Sequence, residues 1–245
     1  MIGGVVWLWQ VGWFALQYER AIEGAYAYSA DMGLRVKGVL VEGRDRTLSD
    51  EILEVLSVER GMPILKIDPQ SAKSDLETLP WVSSAEVERQ LPDTIYVRIV
   101  ERRPLALWQL EGELSVIDQN GAVIPGVEAR RHAGLPLIVG PGAPEHAADL
   151  ISVLSSEPGL RKRVAAAIWV GDRRWNLQLT GGIDVRLPEG GLIDAWKQLA
   201  RIEKEYGVLD RDVTLIDLRL PDRLVVRTAP GSQLRKEEAG EGENT

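Results

Sequence analysis

Polar and apolar residues alternate in two runs near the middle of the chain, and the alternation predicts a β-hairpin. Ala85, Val87 and Arg89 take alternate positions in the first run, Ile95, Val97 and Ile99 in the second, and Leu91-Pro92-Asp93-Thr94 turns the chain between them. Strands of this kind carry one apolar face that a helix or a second sheet has to cover. The residues upstream supply such cover. Leu34 to Glu42 reads as a strand, with Val36, Val39 and Val41 as β-formers and Gly38 as the mark of a bulge. Thr47-Leu48-Ser49-Asp50 has the form of a helix cap, and Ile52, Leu53, Val55 and Leu56 follow at helical spacing. Gly61-Met62-Pro63 ends that helix. Asp68 as N-cap and Pro69 at the first helical position open another, whose apolar face runs through Ala72, Leu76 and Leu79 until Pro80 stops it. The order is β-α-α-β-β in about seventy residues, and a three-stranded sheet under two helices buries a small core.

A second pattern begins after Pro104. Leu105–Trp108 and Leu114–Asp118 read as strands, with Asn120-Gly121 as a turn before Val123-Ile124. Arg130 to Pro144 is dense in Gly and Pro and reads as loop, and Glu145 to Ser155 reads as helix. A strand near Ala166–Val170 is followed by Trp175–Leu179 and Ile183–Leu187, a hairpin across Gly181-Gly182. Leu192 to Tyr206 is the clearest helix, with Leu192, Trp196, Leu199 and Tyr206 near one stripe. Val213–Leu218 and Leu224–Thr228 close the pattern, joined around Pro221-Asp222. From Gly231 onward the chain is polar and acidic, the composition of a disordered tail. The fold class is therefore α+β in two domains.

Composition narrows the function. A net charge of -8 argues against nucleic acid, because binding phosphates needs a basic surface. The absence of cysteine excludes disulfides, zinc-thiolate sites and thiol nucleophiles. Ile2 to Leu16 is free of charge, yet a helix of that length spans about 22 Å at ~1.5 Å per residue, short of the ~30 Å hydrocarbon core. Trp7, Trp9, Trp13 and Tyr18 suit a membrane interface, where aromatic rings collect. We expect residues 1–18 to be the outer part of a single membrane span whose cytoplasmic start is missing, and 19–33 to be a juxtamembrane linker. On length alone, a buried amphipathic helix is the alternative.

No catalytic constellation emerges. His132 and His146 are the only histidines, both lie in the Gly/Pro-rich stretch, and no Gly-x-Ser-x-Gly motif accompanies them. Two histidines fourteen residues apart, without thiols, are a weak metal signal. Gly181-Gly182 and Gly190-Gly191 lack the spacing and lysine of a phosphate loop. Carboxylates are too many for counting to single out an acid pair. Trp81 and Trp108 read as core anchors. The expectation is no enzyme and no cofactor.

The hairpin with its preceding elements resembles a POTRA domain, and Glu101-Arg102-Arg103-Pro104, Ala106 and Trp108 resemble its junction with a second domain in the FtsQ/DivIB cell-division proteins. Leu114 to Gly121, Leu135-Pro136-Leu137-Ile138-Val139-Gly140 and Leu215-Ile216-Asp217-Leu218-Arg219 resemble later family motifs, in order and spacing. The resemblance implies a POTRA domain over 34–102, an FtsQ-type β-rich domain with packed helices over 103–230, and the tail over 231–245. It implies a single-pass protein of the cell inner membrane, with most of the chain in the periplasm at the division septum. Such a protein is a scaffold of the divisome that binds FtsB, in complex with FtsL, and meets other division proteins, FtsK among them. A secretion or outer-membrane assembly factor bearing POTRA domains is the alternative. The last strand is the physical candidate for the binding site, since an unpaired edge invites an added strand. Carried over by position, Arg219, Leu220, Leu224, Val226 and Thr228 would line or flank it. The chain departs from the proteobacterial pattern at Arg227 and Thr228, so the location carries over better than the contacts.

Overall fold

The computed structural model describes residues 2–220 and 223–228, with side chains from Ala15 onward. The chain divides into two compact units, Met1–Arg102 and Arg103–Thr245.

The first unit contains α1 (Ile2–Asp31), β1 (Gly38–Glu42), α2 (Ser49–Leu56), α3 (Pro69–Leu76), β2 (Val82–Gln90) and β3 (Thr94–Glu101). Its sheet has the order β1-β3-β2, with β1 parallel and β2 antiparallel to β3. β3 is the central strand, and its alternation sends the Ile95, Val97 and Ile99 side chains into a core with Ile52, Ile64 and Leu76. Asp68 caps α3 as its sequence demands, its carboxylate accepting the Ser71 N–H at 2.9 Å.

Two local expectations are corrected. The strand begins at Gly38, and β1 runs against β3 without a register shift, so Gly38 marks no bulge. Val36 is buried but bonds to the 61–63 segment instead, donating to Met62 O and accepting from the Gly61 N–H. Thr47 does not cap α2, whose N-cap is Leu48 with no side-chain bond. Its hydroxyl is taken by Glu101, which accepts it at 2.7 Å together with the N–H groups of Asp45, Arg46 and Thr47. Residues 19–31 belong to α1, because the stretch holds no proline and is rich in good helix formers. α1 ends in a Schellman motif: Gly33, at φ 97°, donates to Ala30 O and Leu34 donates to Ser29 O. Arg35 Nε adds a third bond, to Ala30 O at 2.8 Å. Among the described residues no helix is long and apolar enough to cross a membrane. Side chains 1–14 of the expected span lie outside the described ones, as does the expected tail from Gly231.

Glu101 yields a prediction. Burial pushes its pKa up, but the hydrogen bonds from Thr47, Asp45 and Arg46 outweigh this and hold it below the ordinary value of 4.5. A depressed folded pKa contributes stability that is complete above the unfolded value and disappears as pH falls through the folded one. Glu101→Gln should therefore cost about 1–2 kcal/mol at neutral pH. It should also flatten the loss of stability below pH 4.5, as read by denaturant melts across that range.

The second unit contains β4 (Pro104–Leu110), β5 (Glu113–Asp118), β6 (Leu137–Val139), α4 (Ala147–Ser155), α5 (Pro158–Arg161), β7 (Val164–Val170), β8 (Arg174–Leu179), β9 (Ile183–Arg186), α6 (Leu192–Tyr206), β10 (Val213–Asp217) and β11 (Val225–Thr228). They form one eight-stranded sheet in the order β11-β10-β9-β8-β7-β6-β4-β5. β6 to β7 and β9 to β10 are parallel steps, and parallel neighbours need a crossover connection; α4 with α5 supplies the first and α6 the second. The apolar faces of the helices, Leu150, Leu154, Trp196 and Leu199, join Trp175, Leu177, Val185 and Ile216 of the sheet in one core.

Candidate partner-binding edge

A sheet of eight strands in open order has two ends, and they differ in what remains available. At the β5 end the outer side of the strand is occupied over Val116–Asp118. Ile124 N–H donates to Val116 O, Asp118 N–H donates to Ala122 O, and Ile117 bridges Val123. In the first unit, the outer side of β2 is partly satisfied by Glu77, whose carboxylate accepts the Ala85 N–H at 3.1 Å. At the other end of the large sheet, β11 pairs with β10 alone among the described residues.

The orientation of β11 follows from one bond. The Thr214 hydroxyl donates to the Arg227 carbonyl at 3.2 Å, so that carbonyl faces β10. Backbone groups alternate sides along an antiparallel strand, so the N–H and C=O of Val226 and Thr228 face the open edge. Side chains alternate as well. Val226 and the preceding Leu224 pack against the helix-covered core, whereas Val225, 50% exposed, lies on the opposite face. That face carries one register line through all eight strands: Leu114, Gln109, Val139, Ile168, Asn176, Arg186, Asp217 and Val225.

A groove of about 410 Å³ opens at the end of this line, lined by Asp217, Arg219, Leu220, Arg223 and Val225. Asp217 organises it. Its carboxylate accepts from Arg219 Nε at 2.8 Å and Nη2 at 2.6 Å and from the Arg219 N–H at 3.1 Å, and Arg186 approaches to 3.8 Å. These bonds, the Arg219 side chain first, hold the Asp217 pKa below the ordinary carboxylate range. An exposed pair of this kind adds only ~0–1 kcal/mol to stability, but its fork geometry fixes where the guanidinium points. Leu220, 51% exposed, is the apolar part of the rim.

The five residues expected from sequence thus fall into two groups. Arg219 and Leu220 line the groove. Leu224, Val226 and Thr228 belong to the strand and its approach, and their side chains are half-buried. Sequence reasoning missed Asp217, Arg223 and Val225. The signal for Asp217 was its place two residues before Arg219, since i and i+2 share a face of extended chain. The strand contributes backbone groups and the groove contributes charge, which suits the uptake of another polypeptide strand.

His146, Trp108 and Trp81 have structural partners. His146 stacks on Trp169 with ring centroids 4.2 Å apart, and Trp169 Nε1 donates to Asp172 at 3.1 Å. Trp108 Nε1 donates to Gly140 O at 2.9 Å, and Arg46 lies over the Trp81 ring at 4.8 Å. Among the described residues no three His, Asp or Glu side chains come together as a metal site would need.

Two family models match successive parts of the chain. The family model for the FtsQ-type POTRA domain matches residues 34–102, and that for the C-terminal region of the cell division protein FtsQ/DivIB matches 106–219, which ends just before β11. The cell division protein FtsQ of Bradyrhizobium diazoefficiens is 38% identical over 212 residues, covering 86% of this chain and 62% of that protein. FtsQ of Agrobacterium fabrum is 37% identical, covering 84% of this chain and 65% of its own length. FtsQ of Rhizobium radiobacter is 37% identical over 194 residues, which are 79% of this chain and 92% of that one. The chain therefore spans a little under two thirds of the first two relatives. A solved extracytoplasmic domain of DivIB from Geobacillus stearothermophilus, 14% identical, aligns over 44% of this chain and 96% of its own with a TM-score of 0.31, which adds nothing further. On these matches the chain belongs to the FtsQ/DivIB family of cell division proteins.

Proposed function

We propose that this chain is a non-enzymatic scaffold of the bacterial divisome, anchored in the inner membrane through α1 and exposed to the periplasm at the septum. In this reading it receives a strand from FtsB, in complex with FtsL, along the outer edge of β11. One observation carries the reading: among the described residues β11 pairs with β10 alone beside a charged groove, while part of the β5 edge and one amide of the β2 edge are taken. The family membership supplies the setting. An edge of four residues offers few backbone bonds, each worth ~0.5–1.5 kcal/mol net. Much of the affinity then has to come from side chains against the groove, where Arg219 and Leu220 stand ready.

The test is binding of residues 19–228 to the exported portions of FtsB and FtsL from the same organism, with hydrogen exchange followed alongside. Starting at 19 keeps the last turns of α1, to which Leu34 and Arg35 bond. The expected result is binding with new protection confined to Val213–Thr228. A well-folded chain that binds neither partner would reject the reading and favour a secretion role.

A further inference from the structure

The first unit also has a strand with a single neighbour. Among the described residues β1 pairs with β3 alone, and the strand uptake proposed for β11 makes no use of it. The bonds around the sheet fix which backbone groups β1 turns outward. Arg102 N–H donates to Trp81 O just before β2, so even-numbered residues of β3 face β2 and odd-numbered ones face β1. Ala85 agrees, since it stands opposite Ile99 and its N–H points away from β3, to Glu77. In a parallel ladder a residue bonds the two neighbours of the one in register with it. Ile95 is in register with Val39 and so bonds Gly38 and Leu40, which leaves the N–H and C=O of Val39 and Val41 facing outward. Before Gly38 the edge is closed: Arg60 Nε donates to Lys37 O at 3.0 Å, and Val36 bonds Gly61 and Met62.

Edges are commonly guarded by lysine, proline or a bulge, and Gly38–Glu42 has none of these. Its one charge, Glu42, is drawn across the sheet, accepting the Tyr96 hydroxyl at 2.5 Å with Arg98 at 4.0 Å. The strand is also its own complement. Two copies set antiparallel about Leu40 place Val39 opposite Val41, Leu40 opposite Leu40, and Gly38 opposite Glu42, so no like charges meet. The outward groups of Val39 and Val41 then exchange about four backbone hydrogen bonds. Leu40, 50% exposed, is covered by its counterpart, and the half-buried Val39 and Val41 carry the helix-covered face across the junction. Neighbouring registers lose this fit. Centring on Val41 sets Val39 against Gly43, which lies outside the strand at φ 84°; centring on Val39 sets Val41 against Lys37, whose carbonyl Arg60 holds.

We infer that two copies of this chain pair antiparallel through the outer edge of β1, with Leu40 on the two-fold axis. The contact is isologous, the same strand serving on both sides. Five residues a side fall well short of the ~1,200–2,000 Å² of a stable interface, so the pairing is weak and readily exchanged.

Disulfide trapping tests it without background, because the chain has no cysteine. Directly opposed residues of a non-hydrogen-bonded pair have Cα atoms ~4.5 Å apart, within disulfide reach. In the full chain under mild oxidation, Leu40→Cys should therefore give at least tenfold more linked dimer than Glu42→Cys. Glu42 is comparably exposed, but its two copies would lie ~13 Å apart along the strands. Chains with Gly38→Cys mixed with chains with Glu42→Cys should form the mixed dimer in preference to either self-linked one. Equal yields from Leu40→Cys and Glu42→Cys would overturn the pairing, and a mixed dimer no more abundant than the self-linked ones would overturn the register. With a photoreactive residue in place of Leu40 in cells, adducts of another mass without the doubled one would give the edge to a different chain and overturn the pairing. None of these readouts involves β11 or FtsB.

Discussion

Gly43→Ala should prevent the first unit from folding while leaving the second intact. Gly43 follows β1 at φ 84°, a conformation that costs a residue with a Cβ ~1–2 kcal/mol. Space is the larger obstacle. A Cβ there would stand 2.1 Å from the carbonyl oxygen of Ile99, far inside contact distance. The obstructing atom is backbone in the central strand β3, whose Ile99 side chain is buried in the core, so it cannot swing aside as a side-chain tip would. Relief requires separating the end of β1 from β3, and this also disturbs the loop whose amides Glu101 holds. We expect a loss above ~4 kcal/mol, comparable with the ~3–5 kcal/mol that a core of this size supplies. Gly38→Ala is the control, since it has no heavy atom within 4 Å and no positive φ, and it should change stability by less than ~1 kcal/mol. Exchange of the Ile95 to Ile99 amides reads the outcome, with those of Leu177 and Leu179 as the reference for the second unit. A cooperative melt of the first unit unchanged in the variant would refute the close approach.

Val226→Pro should abolish uptake of a partner strand and leave the sheet folded. The N–H of Val226 faces away from β10, so proline removes a donor from the open edge and none from the β10–β11 ladder. Its ring also blocks an incoming strand at the middle of a four-residue edge. The Val226 side chain is only half-buried, so the core should lose ~1 kcal/mol or less. Binding of the exported FtsB segment should fall by more than a hundredfold, since the edge keeps too few other donors to compensate. Arg227→Pro makes the comparison informative. Its amide faces β10, so it should detach β11 and lower stability as well as binding. Unchanged affinity in a folded Val226→Pro chain would rule out strand addition at this edge.

The hairpin of the first unit was legible because two independent signals coincide there. Period-two alternation in Ala85–Arg89 and Ile95–Ile99 requires a buried face, and Pro92-Asp93 forces a turn between them. Asp68-Pro69 was legible for the same kind of reason, since capping is chemistry confined to neighbouring residues. Thr47 failed as a cap because a distant carboxylate, that of Glu101, competes for its hydroxyl. A window of sequence around Thr47 holds no trace of Glu101. Gly38 failed as a bulge because glycine marks several backbone needs, and the close approach that demands one falls at Gly43 instead.

The candidate site divides in the same way. Sequence alone determined that the second domain closes with two short strands and that Arg219 follows a carboxylate by two positions. These are properties of neighbouring residues, and local periodicity carries them. Only the tertiary structure decided that β11 ends the sheet among the described residues, that Ala122–Ile124 cover part of the β5 edge, and that Arg186 of β9 shares Asp217 with Arg219. Strand order is set by which faces the crossover helices α4 and α6 can cover together, a choice made over the whole core. No local stretch of residues encodes it.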